Sequence, residues 1–251
     1  MSLEIKSELK RLLKDQSNIF VLFSGIWTFA HRLPLPTKDL PVFIIDSILE
    51  CIGGEGLLIM PTFTFSFCKS RLFNIETTPS EQGVVSEIFR TQYDTERLSS
   101  PINSYCIFGN EKPDFLKSIG KTAWGTGSAC DWMIQNNALL INLGIPWRQA
   151  FTPIHYSEEK FKVPYRYHKT FKGHIQQQDN ISETNETLFV RPKEINLDWN
   201  SEIIKDICRN KNLTRKSRLK SFPLECVFAK DLNKTCDDLL SKDKWSFVIN
   251  K

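Results

Sequence analysis

The chain has 251 residues, 41% of them apolar and 25% charged, with a net charge of +4. That length can bury a full core, and that composition excludes a disordered or collagen-like chain. No apolar run approaches the ~20 residues of a membrane helix, and so mild a charge makes no case for nucleic acid.

Residues 2–14 place Leu3, Ile5, Leu9, Leu12 and Leu13 at helical spacing among charges, which predicts an amphipathic helix. No apolar stretch follows a basic start, so this is not a signal peptide and a cytoplasmic location is expected. Residues 18–23 read as a strand ending in the turn Ser24-Gly25. A helix over 37–50 is expected with Thr37 as its cap, stopped by Gly53-Gly54-Glu55-Gly56. Residues 57–60 then form a buried strand closed by Pro61.

Further on, Ser80 stands as the N-cap of a helix over 81–93, whose apolar face holds Val84, Val85, Ile88 and Phe89. Strands at 105–108 and 138–143 bracket a short helix at 131–135. A helix over 152–162 is halted by Pro164. Beyond Gly173 the pattern weakens, with strands expected at 187–190 and 224–229 and helices at 203–209 and 231–241. The alternation predicts an α/β fold, a central mixed or antiparallel sheet flanked by helices. One domain is expected over 1–251, residues 1–172 forming the catalytic core and 173–251 a C-terminal part.

Seven cysteines form no C-x-x-C pair, and their odd number argues against a disulfide framework. Cys106 or Cys130 as a nucleophile has no local activating signal. The basic stretch Arg209, Lys211, Arg215, Lys216, Arg218 and Lys220 lacks interleaved aromatics and reads as a solvated face. No Gly-rich pattern matches a P-loop or dinucleotide fingerprint. The helix start around Thr78, Ser80 and Gly83 suits a phosphate or an amide carbonyl, although a plain cap is the commoner use.

Of the four histidines, His155 is the one with a partner in helical register, since Glu158 lies three residues on. A carboxylate beside an imidazole fixes its tautomer and raises its basicity, leaving the other nitrogen to accept a proton. On these residues alone a surface ion pair is the commoner outcome. A helix following a buried strand and a loop, where α/β folds keep their sites, shifts the balance toward function. Metal binding by His155, Glu158, His168 and His174 matches no zinc spacing, so no metal is expected.

The order of several segments carries more than any one of them. Val21-Leu22-Phe23-Ser24-Gly25 comes first, then Gly54-Glu55-Gly56 leading into Met60-Pro61-Thr62-Phe63-Thr64, then Thr78-Pro79-Ser80-Glu81-Gln82-Gly83. Gly125-Thr126-Gly127-Ser128, Asn142-Leu143-Gly144, Thr152-Pro153-Ile154-His155-Tyr156-Ser157-Glu158 and Val163-Pro164-Tyr165-Arg166 follow. This succession resembles the aminoglycoside 3-N-acetyltransferase family, which is distinct from the small GNAT acetyltransferases, over residues 5–172.

The resemblance implies acetyl-coenzyme A as acyl donor and direct transfer to an amine. It makes His155 the catalytic base and Glu158 its carboxylate. Ser24, Gly25, Thr78, Ser80 and Gly83 would hold the coenzyme, and Thr62 would sit at the cleft end of its strand. The sequence departs from the family's His-Ser-Ser at Phe23-Ser24-Gly25, from its His-Pro at Ser100-Pro101 and from its Gly-Ser-Pro at Gly127-Ser128-Ala129.

Polycationic aminoglycosides call for a site lined with acids, and the segment from Pro61 to Thr78 offers only Glu76 against Lys69 and Arg71. The expected partner is therefore a small amine or amino sugar of surface-polysaccharide or sugar-nucleotide metabolism, with an aminoglycoside as the alternative. A catalytically degenerate, coenzyme A-binding protein and a homo-oligomeric state are left open.

Overall fold

The computed structural model describes residues 2–110, 112–120, 122–193 and 197–249. In chain order it contains α1 (Ser2–Leu13), β1 (Ile19–Ser24), α2 (Leu40–Ile52), β2 (Leu57–Pro61), α3 (Phe67–Ser70), β3 (Leu72–Asn74) and α4 (Val84–Gln92). Next come β4 (Glu96–Arg97), β5 (Tyr105–Phe108), α5 (Lys112–Ser118), α6 (Ala129–Gln135), β6 (Leu139–Leu143) and α7 (Ile154–Lys160). The chain finishes with β7 (Tyr167–Gln177), β8 (Asn180–Val190), α8 (Glu202–Asn210), β9 (Thr214–Lys216), β10 (Leu224–Phe228) and α9 (Ala229–Leu240).

Seven strands form one mixed sheet in the order β4-β5-β2-β1-β6-β10-β9. At its centre β1 is parallel to both β2 and β6, while β5 and β10 run antiparallel on either side. Successive side chains of a strand point to opposite faces, and here both faces are covered. Ile19, Val21 and Phe23 enter one apolar core with Leu57, Ile59 and Leu140. Phe20 and Leu22 enter the other with Leu58, Met60 and Ile141. This explains why β1, β2 and β6 read as unbroken apolar runs. α1, α2 and α4 pack on the second face, and α6 to α9 on the first.

The carboxyl ends of β1 and β6 lie side by side because the two strands are parallel. At such switch points, where neighbouring connections leave to opposite sides, α/β sheets form their crevices. Gly144 adapts the chain there with a φ of +76°, and a Cβ at this position would sit 2.7 Å from Thr28 Oγ1.

Three sequence expectations need correction. Thr37 does not cap α2, which begins at Leu40 after a turn closed by Asp39 N–H donating to Pro36 O. Pro41 in the first turn suits that start. Ser80 does not cap α4 either, because Gly83 precedes Val84 with a φ of +97°, a conformation that cannot extend a helix backwards. Instead, Ser80 Oγ accepts from Gln82 N–H in a tight turn. The third correction is the hairpin of β7 and β8, read only as a strand at 187–190. These strands pair from Tyr167↔Val190 to Gln177↔Asn180 and form a second sheet with β3.

Candidate active site

α7 turns Ile154, Ser157 and Glu158 inward, with His155 at its partly buried edge. His155 Nδ1 lies 2.5 Å from Glu158 Oε2. The Glu158 side chain is 0% exposed, against 23% for His155. The Tyr165 hydroxyl donates to Glu158 Oε1 at 2.9 Å, and Arg166 Nε stands 3.0 Å from Oε2. Burial opposes ionisation of Glu158, but His155, Arg166 and Tyr165 outweigh it and hold the carboxyl well below the usual range.

An ionised carboxylate only accepts hydrogen bonds, so the 2.5 Å contact with Glu158 favours the tautomer with its hydrogen on Nδ1, although Arg166 Nη2 also lies 3.3 Å from that atom; in this tautomer Nε2 keeps its lone pair. Burial lowers the His155 pKa, the Arg166 guanidinium adds to this, and Glu158 only partly offsets the two. The imidazole is thus a neutral base whose free nitrogen can take a proton.

Around His155 lies a cleft of about 380 Å³ with aromatic walls. The Trp124 and Trp199 rings stand 5.0 and 5.7 Å from the imidazole, and Phe63, Phe65, Phe151 and Phe189 complete the walls. Its charged lining side chains besides His155 are Arg166 and Arg191; no carboxylate lines it among the described residues. A second hollow of about 320 Å³ adjoins it, and Gln82 and Gln149 border both. This one is lined by Ser24, Gly25, Trp27, Gly83 and Val84. Ser24 Oγ is buried with no partner among the described residues. The first N–H groups of a helix lack intrahelical acceptors, so α4 brings further donors to this hollow. An orphaned hydroxyl and a helix start together fit the amide or phosphate oxygens of a coenzyme.

A family model described as aminoglycoside 3-N-acetyltransferase matches residues 36–241. The chain belongs to this family. It is thus a member of a family of acetyl-coenzyme A-dependent acetyltransferases. The match runs well past residue 172, where the ordered sequence motifs end. No curated protein sequence matches the chain. Among solved structures, it is similar to the aminoglycoside acetyltransferase AAC(3)-IVa apoenzyme, at 19% identity over 98% of this chain and 90% of that one, with a TM-score of 0.78. A mutant of AAC(3)-IVa in complex with a gentamicin gives 18% identity over 96% and 90%, with a TM-score of 0.76. The binary complex of AAC-IIIb with CoASH gives 16% identity over 96% of each chain, with a TM-score of 0.80. At such identities the likeness speaks for the fold.

In this N-acetyltransferase-family chain, His155 and Glu158 are in direct contact, and Ser24, Gly25 and Gly83 meet in the second hollow. Thr78 and Ser80 are placed elsewhere. Thr78 Oγ1 accepts from Asn74 N–H, and Ser80 N–H donates to Glu87. Thr62 is fully buried, its backbone N–H donating to Ser104 O, and lines neither hollow. Arg97 explains these placements. Its guanidinium donates to the carbonyls of Thr62, Ile75 and Thr78 and to Ser104 Oγ. It ties the two threonine-bearing loops to the end of β5.

Sequence reasoning assigned no role to Tyr165, Arg166, Trp124 or Trp199. Only the first two carried a signal: they follow Pro164, which returns the chain past α7. Burial pushes the Cys130 thiol up to about 12, and Cys106 is also raised, so neither is an activated nucleophile. His168 contacts Glu159 rather than His155. Among the described residues no cluster of three or more metal-ligating side chains forms, and no helix is long and apolar enough to cross a membrane.

Proposed function

We propose that the protein transfers an acetyl group from acetyl-coenzyme A to an amino group of an amino sugar, with His155 as general base. The observation that carries this reading is the His155–Glu158 contact at the end of a two-part cleft. A primary amine is protonated and unreactive until a base takes its proton. Nε2 of His155 removes it as nitrogen attacks the thioester carbonyl. The acyl group passes from sulfur to nitrogen, and the imidazolium returns a proton to the departing thiolate. Glu158, held by Tyr165 and Arg166, orients the ring and stabilises its charged form. Ser24, Gly25 and Gly83 bind the donor. The aromatic walls exclude water and position the acceptor, an effect that supplies much of the rate once the amine is neutral.

Aminoglycosides are the first acceptors to test, because relatives of this fold carry that activity in their names and one is bound to a gentamicin. This reading has better support than the polysaccharide role expected from composition. A neutral or acidic amino sugar remains the second reading, favoured by Arg166, Arg191 and the acid-free lining of the His155 cleft. A cytoplasmic location fits both readings, as does a chain whose seven cysteines are free thiols.

Thiol release from acetyl-coenzyme A, followed with a panel of aminoglycosides and amino-sugar phosphates, tests the proposal. Turnover on one class and its loss in His155→Ala is the expected result. Equal, background-level release by both proteins with every amine would refute it.

A further inference from the structure

The pairing of β9 with β10, and of β10 with β6, brings the basic stretch to a cleft of about 540 Å³ at the carboxyl end of β6. Arg32, Lys216 and Lys220 line it, exposed and without a carboxylate partner among the described residues. One further cation in that situation, Arg191, lines the His155 cleft itself.

The hairpin puts it there. β7 and β8 pair antiparallel, and their outermost facing pair is Tyr167↔Val190. One step further along that register come Arg166 and Arg191, and both side chains line the cleft. Like charges at facing positions of an antiparallel pair repel each other. The chain supplies a carboxylate to one of the two. Arg166 is only 8% exposed, with Nε 3.0 Å from Glu158 Oε2, while Nη1 donates to Phe189 O at 3.0 Å and Nη2 lies 3.3 Å from His155 Nδ1. Its donors are committed. Arg191 is exposed just beyond β8 and has no such partner among the described residues. After burial and Arg166, its charge is a further influence lowering the His155 pKa.

An unpaired guanidinium beside a reacting centre suits an oxyanion, which it can hold through two parallel N–H donors. The acyl donor brings none to this place. In acetyl-coenzyme A the whole pantetheine arm, with its two amide groups, separates the thioester from the nearest phosphate. An anion that meets Arg191 while an amine meets His155 therefore belongs to the acceptor. A polycationic acceptor would instead set ammonium groups against Arg191, with no lining carboxylate among the described residues to offset the repulsion.

We propose, resting on the acetyltransferase reading above and taking up its second acceptor class, that Arg191 selects the acceptor by binding a carboxylate or phosphate carried by the amino sugar.

Protein saturated with coenzyme A, so that the donor's own sites are filled, is titrated in a calorimeter with glucosamine, glucosamine 1-phosphate, 2-amino-2-deoxyglucuronic acid and gentamicin. Acetyl-transfer kinetics use the same four, with 3-amino and 4-amino hexoses and their 1-phosphates added. Wild type, Arg191→Gln and Arg191→Glu are compared, and thermal melts confirm that each variant folds. The wild type is expected to favour an anionic acceptor over its uncharged counterpart by about ten- to a hundredfold, in affinity and in kcat/KM, through KM rather than kcat. Arg191→Gln erases that ratio without moving KM for acetyl-coenzyme A, and Arg191→Glu turns the preference toward gentamicin. A phosphate preference and a uronate preference both support the proposal, and the pair of arms tells which oxyanion is carried. Equal use of charged and uncharged sugars by the wild type, a wild-type preference for gentamicin, or an anion preference that survives in both variants overturns it. Transfer still occurs in each of those cases, so the acetyltransferase reading stands. Binding of neither coenzyme A nor any acceptor removes that reading, and the proposal with it.

Discussion

The protein concentrates charge in two places, the His155 cleft and the cleft lined by Arg32, Lys216 and Lys220, and it treats them in opposite ways. At the His155 end, Glu158 is fully enclosed and meets an imidazole, a guanidinium and a phenol within 3.0 Å. At the other end, Arg32, Lys216 and Lys220 are exposed and reach toward open space. A buried, saturated cluster fixes geometry and proton affinity and is little screened by salt. An exposed, unpaired cluster attracts an ion and is screened readily. The proton-transfer role proposed for His155 fits the first cluster, and attraction of an anion fits the second.

The strongest way to break that contrast is at its buried end. His155→Ala removes the imidazole that lines the cleft, and kcat/KM for acetyl transfer is expected to fall by about 10²- to 10⁴-fold. The partly exposed His155 side chain leaves the fold intact, so the melting temperature should hardly change. A variant with near-wild-type turnover would show that the acceptor amine loses its proton elsewhere. Glu158→Gln is expected to cost less activity, about 10- to 100-fold, since Nε2 survives while the ring loses its orienting charge. It should cost more stability, about 3–5 kcal/mol, because Arg166 is then buried without its carboxylate. Denaturant unfolding of the two variants reads that inversion directly.

How much of this the sequence disclosed depends on what each residue touches. His155 and Glu158 are visible as a pair because helical spacing alone brings them together. Tyr165 and Arg166 reach Glu158 only through the turn at Pro164, so periodicity says nothing of their role. The central strands are legible because burial on both faces leaves continuous apolar runs. β7 and β8 are not, since most of their side chains face solvent and the hairpin turns at Gln178-Asp179 without a glycine. Thr62 and Thr78 stand in ordered motifs, but sequence order does not reveal that their carbonyls accept from Arg97. The basic stretch reads as solvated face because its convergence depends on β9 finding β10.

A subtler test asks whether Arg166 tunes the base or merely packs. Burial and the adjacent guanidinium both lower the His155 pKa, so the acid limb of kcat/KM should have its midpoint below the usual imidazole value of about 6.5. Activity is lost as pH falls through that midpoint, where Nε2 gains a proton. Arg166→Gln removes a repelling charge, and the midpoint is expected to rise by about one unit. A purely structural arginine would lower the melting temperature and leave the midpoint in place. The stability profile carries its own sign. Glu158 is depressed in the fold, so its contribution is complete above the unfolded carboxyl value of about 4.5 and is lost as pH falls through the folded one.

The mildest perturbation requires no mutation. Raising salt from about 0.1 M to about 1 M shortens the screening length from about 10 Å to about 3 Å. The exposed cations should then attract an anionic donor less strongly, and KM for acetyl-coenzyme A is expected to rise several-fold. The cluster around buried Glu158 is screened far less, so kcat and the acid-limb midpoint should change little. Steady-state kinetics at the two salt concentrations and several pH values measure both responses on one protein. If kcat moved with salt while KM did not, the division between a proton-handling end and an ion-binding end would fail. The two clusters would then have to be treated as one electrostatic unit acting on the chemical step.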